Sequence, residues 1–85
     1  MPKVEWEKEA LDDLQKIDRP IAKRILTKIS WLSKYFDNII PEPLSGDMSG
    51  EFKLRVGDWR VVYKLDHEDQ SIKIYRIELR DKVYK

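Results

Sequence analysis

The sequence predicts an α+β fold of order βααβββ, in which a helical hairpin packs on one face of a small, mostly antiparallel sheet. Three observations carry this. Apolar residues recur at helical spacing early in the chain, at Ala10, Leu11, Leu14 and Ile17, then at Ile21, Ile25, Ile29 and Leu32. Two period-2 runs, Phe52-Leu54-Val56 and Trp59-Val61-Tyr63, flank Gly57-Asp58, a pair suited to a two-residue hairpin turn. A further strand-like run begins at Ser71, after the polar stretch Asp66-His67-Glu68-Asp69-Gln70.

Lys3 to Trp6 alternates and reads as a short first strand. The period changes at Glu7, and Glu7 and Glu9 place acidic charge at the positive end of the helix dipole. Asp18-Arg19-Pro20 restarts a helix, with Asp18 as N-cap and Pro20 in the first turn, where its missing N–H is no loss. Leu26 lies beside the stripe of this second helix. Between Phe36 and Gly50 periodicity stops; Pro41, Pro43, Gly46 and Gly50 mark a loop, anchored at Leu44 or Met48. The last strand runs from Ser71 to Ile77 or beyond. Its apolar residues fall into two sets of opposite parity, Ile72-Ile74 and Ile77-Leu79, so Arg76 has no assigned face. Residues 1–85 read as one domain, with no internal repeat.

Composition narrows the function classes. The chain of 85 residues is 41% hydrophobic and 39% charged, has no cysteine, and carries a net charge of +1. It therefore has neither a disulfide framework nor a thiolate metal site. No apolar run approaches the roughly 20 residues of a membrane span, and the start, MPKVEWEKEA, lacks the apolar core of a signal peptide. A cytoplasmic protein is expected. The charge is nearly even along the chain: residues 1–50 hold eight Lys/Arg and nine Asp/Glu, and residues 51–85 hold nine and seven. A basic surface must therefore come from geometric clustering, not from gross excess.

Most chemistry-bearing patterns are missing. The one histidine, His67, sits in a polar turn and reads as a solvated residue. No His pair or carboxylate cluster has metal-ligand spacing, so no metal or other cofactor is expected. The glycines form no phosphate loop, and Ser30, Ser33, Ser45, Ser49 and Ser71 lack a histidine partner for a nucleophilic triad. Glu9, Asp12 and Asp13 read as a solvated helix face, and alternation assigns Trp59 and Tyr63 to the core.

What remains is cationic. The hairpin register puts Arg55 opposite Arg60, with Lys53 diagonal to Arg60, all on the face away from the helices. Like charges facing each other across a sheet are destabilising. Two readings are open: the three cations meet an anion, or they pair with Glu51, Asp58 or Glu78. Arg80, Lys82, Tyr84 and Lys85 add a basic tail.

The chain resembles the RelE/ParE superfamily of small toxins from type II toxin–antitoxin pairs. The resemblance spans nearly the whole length. It rests on Pro43-Leu44-Ser45-Gly46, on Phe52-Lys53-Leu54-Arg55-Val56-Gly57-Asp58-Trp59-Arg60-Val61-Val62-Tyr63, and on the ending Leu79-Arg80-Asp81-Lys82-Val83-Tyr84. It implies a RelE-like fold, a cognate antitoxin as partner, and one of two targets. RelE-like members cleave messenger RNA in the ribosomal A site; ParE-like members poison DNA gyrase without nuclease activity. Lys53, Arg60, Arg80 and Tyr84 match the basic and tyrosine positions of the RelE-like branch. The resemblance thus implies a metal-independent endoribonuclease acting with ribosome and mRNA. In it a 2′-hydroxyl attacks the neighbouring phosphate, Arg60 stabilises the developing charge, and Lys53 is the candidate general base, its charged form disfavoured by nearby Arg55 and Arg60. Arg80 would neutralise charge or protonate the leaving oxygen, and Tyr84 would orient the nucleotide. Arg55, Lys82 and Lys85 are the candidate RNA- and phosphate-binding residues. Two departures stand out: Glu78-Leu79-Arg80 replaces the common Gly-His-Arg, and Glu51 stands where a branch of relatives has lysine. A folded relative that only binds its antitoxin is the third implied class.

Overall fold

The structure, a computed structural model, describes residues 1–44 and 50–79. Strand β1 covers Lys3–Trp6, α1 Lys8–Gln15, α2 Arg19–Lys34, β2 Glu42–Pro43, β3 Glu51–Val56, β4 Trp59–Asp66 and β5 Ser71–Leu79, with one 3₁₀ turn at Phe36–Asn38. The five strands form a single sheet in the order β1-β5-β4-β3-β2. Only the β1–β5 pair is parallel; the others are antiparallel. The α+β class is as expected, but the loop of the sequence reading contains a strand. Pro43 biases the preceding Glu42 toward extended conformation, and Glu42 and Pro43 pair with Lys53 and Phe52. Leu44 extends the contact by donating its backbone N–H to the Glu51 carbonyl, 2.9 Å away. Met48, the other expected anchor, lies outside the described residues.

The helices form where the apolar stripes demanded. α1 packs on β5 and α2 on β3. Ala10, Ile25, Ile29 and Leu32 are buried, and Leu14, Ile17 and Ile21 pack against them. Leu11 and Leu26 lie at the helix flanks and stay exposed. Asp18 is the N-cap residue of α2 and Pro20 sits in its first turn, although the Asp18 side chain makes no capping hydrogen bond. Opposite the helices, Leu54, Val56, Val61 and Tyr63 complete the core, with Trp59 and Phe52 partly buried beside them. The β3–β4 hairpin turns at Gly57-Asp58, with φ of 60° at Gly57 alone. Positive φ at the first central residue is the sign pattern of a type II′ turn, which favours glycine there.

A bulge resolves the mixed parity of the last strand. Val62 pairs with Arg76 but Tyr63 pairs with Ile74, leaving Tyr75 as the extra residue. Alternation restarts after it, so Ile72, Ile74 and Ile77 all reach the core. Tyr75 turns to the open face, where the Lys64 ammonium lies 5.0 Å from its ring centre. Beyond Ile74 strand β5 has no β1 neighbour, and α1 supplies one polar partner. The Asp13 carboxylate accepts from the Ile77 backbone N–H and from Arg76 Nε, each at 2.9 Å. Asp13 is thus not part of a solvated face; its side chain is 16% exposed. Burial works against its ionisation, but the hydrogen bonds from Arg76 and Ile77 win and hold the carboxyl below the usual aspartate range.

Candidate anion-binding face

The sheet face away from the helices carries the expected cations. Arg55 is opposite Arg60, and Lys53 is opposite Val62, which places it diagonal to Arg60. The like-charge pair is flanked by a carboxylate on each side. Arg55 Nη2 lies 2.9 Å from Glu42 on β2, and Arg60 Nε and Nη2 both lie 2.8 Å from one oxygen of Glu78 on β5. Lys53 Nζ shares Glu42 at 3.7 Å. Of the partners considered from the sequence, Glu78 serves Arg60, whereas Arg55 pairs with Glu42, which was not among them.

Glu42 also changes the setting of Lys53. Flanking cations alone were expected beside its amine; Arg55 is there, and both share the Glu42 carboxylate. The signal for Glu42 was faint: one acid between two prolines, with no alternation to announce a strand. These pairs position the cations without sealing them away. The side chains of Lys53, Arg55 and Arg60 are 20%, 50% and 31% exposed. Ion pairs this close to solvent contribute about 0–1 kcal/mol each, so an arriving phosphate can compete for the same N–H groups.

Beneath this face, Tyr63 is 1% exposed and stacks at a tilt on Phe52, with ring centres 5.7 Å apart. Burial, and then the charge of Glu42, pushes its phenol up to about 12. Tyr63, Glu42, Lys53 and Arg55 border a cleft of about 220 Å³ between β3 and residues 39–42. His67 is exposed in the β4–β5 turn, as expected. The remaining site candidates, Arg80, Lys82, Tyr84 and Lys85, lie outside the described residues. Among the described residues no three His, Cys, Asp or Glu side chains converge at metal-binding geometry, and no helix is long and apolar enough to cross a membrane.

Two helices on a five-stranded mixed sheet make this a RelE-like fold. The chain is similar to the toxin–antitoxin complex RelBE2 from Mycobacterium tuberculosis, with 27% identity and a TM-score of 0.78 over 94% of this chain and 100% of that one. It is similar to the isolated RelE toxin of E. coli, with 15% identity and a TM-score of 0.79 over 99% and 92% of the two chains. It also resembles a YoeB/ParE toxin from Agrobacterium tumefaciens, with 25% identity and a TM-score of 0.72 over 93% and 99%. No match is found among curated proteins. The family is set by its model: residues 4–84 match the ParE toxin of the parDE type II toxin–antitoxin system, and the chain belongs to that family.

Proposed function

We propose that this toxin is a metal-independent endoribonuclease that cuts messenger RNA on the ribosome and is restrained by a cognate antitoxin. The supporting observation is the outer hairpin face, where Lys53, Arg55 and Arg60 are fixed by Glu42 and Glu78 yet remain accessible. In the reaction the 2′-oxygen attacks the adjacent phosphorus and loses its proton. The P–O5′ bond breaks, giving a 2′,3′-cyclic phosphate, and the leaving 5′-oxygen takes up a proton from water to become a hydroxyl. Arg60 binds the equatorial oxygens as charge develops on them; electrostatic stabilisation of this kind is usually the largest catalytic term. Glu78 holds the guanidinium in place through Nε and Nη2. Lys53, in its neutral amine form, is the candidate acceptor of the 2′-hydroxyl proton. Arg80 supplies further positive charge, Tyr84 orients the nucleotide, and Lys82 and Lys85 bind flanking phosphates in this reading.

A second reading, a gyrase-directed toxin without nuclease activity, draws support from the ParE family model. The departures at Glu51 and at Glu78-Leu79 point the same way. Induction of the toxin followed by primer extension on a translated message separates the two. Codon-positioned cuts that disappear in Arg60→Ala are expected. Intact messages with trapped gyrase cleavage complexes would favour the second reading.

A further inference from the structure

A groove of about 830 Å³ lies between α2 and the hairpin end of β3, and neither Arg60 nor Glu78 lines it. Its charge is one-sided. Lys23, Arg24, Lys28 and Arg55 line it, and no carboxylate does. α2 has the sequence RPIAKRILTKISWLSK, with five Lys/Arg and no Asp/Glu, so no acid on the helix answers them. Arg24 reaches over the hairpin turn: its Nη2 is 3.5 Å from where a Cβ on Gly57 would stand. Trp31 is 38% exposed, with the Lys28 ammonium 4.1 Å from its ring centre. Lys28, Trp31 and Arg55 also border the cleft that holds Lys53 and Glu42. The two depressions therefore meet, and Arg55 stands at their junction.

We propose that this groove is a second RNA contact, in which Lys23, Arg24 and Lys28 bind phosphates and Trp31 stacks on a base, joined through Arg55 to the hairpin cations. It rests on the nuclease reading for the identity of the anion. Charge and continuity argue for RNA over a peptide. A polyanion can follow the cations from Lys23, Arg24 and Lys28 to Arg55, and a lysine-flanked exposed tryptophan suits bases of any sequence. Arg55, which has no separate role in the cleavage step, becomes the residue that passes the strand from one face to the other.

The test uses purified full-length toxin and a fluorescein-labelled single-stranded RNA 20-mer of mixed sequence, with binding read by anisotropy across a potassium chloride series. Lys23→Glu/Arg24→Glu should weaken binding at least tenfold at low salt. Two lost phosphate contacts should also make the log–log salt slope shallower by about 1.4. Trp31→Ala should weaken binding by about fivefold or more. Lys8→Glu/Lys16→Glu, with the same change in net charge but at the two ends of α1, should have a much smaller effect. Circular dichroism and thermal melts verify that each variant is folded. Wild-type affinity in folded groove variants overturns the proposal. So does unchanged RNA affinity with loss of binding to the purified antitoxin, which would assign the groove to a protein partner. The two readings fail separately. If the wild type makes no cuts but groove variants lose RNA, only the nuclease reading falls. If cuts appear and groove variants bind RNA normally, only the groove falls.

Discussion

The two faces of the β3–β4 hairpin are held by different physics. The inner face is a dry contact: Leu54, Val56, Val61 and Tyr63 pack against Ile25, Ile29 and Leu32. The outer face is a lattice of charges, in which Glu42 restrains Lys53 and Arg55 while Glu78 restrains Arg60. Burying a large apolar side chain stabilises by about 1.5–3 kcal/mol, whereas exposed ion pairs contribute about 0–1 kcal/mol. Stability and charge chemistry therefore sit on opposite sides of one ribbon. Substitutions on one side should leave the other property largely intact.

The largest stability effect should come from the inner face. Tyr63→Ala should destabilise the fold by about 3–5 kcal/mol in urea unfolding, as for other large buried aromatics. An intermediate loss is expected where α1 supports β5. Asp13→Asn weakens the partner of Arg76 and of the Ile77 N–H and should cost about 1–3 kcal/mol. It should also flatten the acid limb of stability. The folded-state pKa of Asp13 is lowered from 3.8, so its contribution is present above that value and is lost as pH falls through the folded value. Chemical denaturation from pH 5 to pH 2 checks both.

Smaller is the alkaline effect of Tyr63. Its phenol is raised from 10.0 to about 12, so the folded state holds the proton more tightly than the unfolded one. Stability associated with it is present below pH 10 and falls between about 10 and 12. Tyr63→Phe should flatten that decline, and absorbance at 295 nm should show Tyr63 ionising late. The smallest stability change belongs to the outer face. Glu42→Gln should shift unfolding by less than about 1 kcal/mol. It should nevertheless tighten RNA binding, because Lys53 and Arg55 lose a neutralising neighbour; anisotropy at low salt reads this. A large loss of stability in Glu42→Gln would break the division between the faces.

What was legible in the sequence follows the same division. Periodicity announces dry packing, so the helix stripes, the hairpin register and the Arg55–Arg60 pair could be read from residue spacing alone. Of the carboxylates that manage the charges, Glu78 was among the partners considered from the sequence, whereas Glu42 and Asp13 were not. Glu42 acts from a two-residue strand too short to show alternation. Asp13 acts across 63 and 64 residues of sequence, and nothing local marks an aspartate as the partner of a distant strand. The bulge at Tyr75 defeated parity because one extra residue reverses the pattern that parity depends on. Lys53, Arg55 and Arg60 were found because a strand face is a local property. Their partners are tertiary. The α2 groove was missed for a related reason: nothing within α2 singles out Lys23, Arg24 and Lys28 until β3 is set beside them.

The central claim is that the outer hairpin face handles a phosphate in RNA cleavage. Primer extension on a translated message after induction of wild type and Arg60→Ala, with both proteins confirmed as folded, tests it most directly. The account predicts codon-positioned cuts in the wild type and a loss of about 100-fold or more in Arg60→Ala, with little change in melting temperature. Cuts of undiminished intensity in folded Arg60→Ala would contradict it.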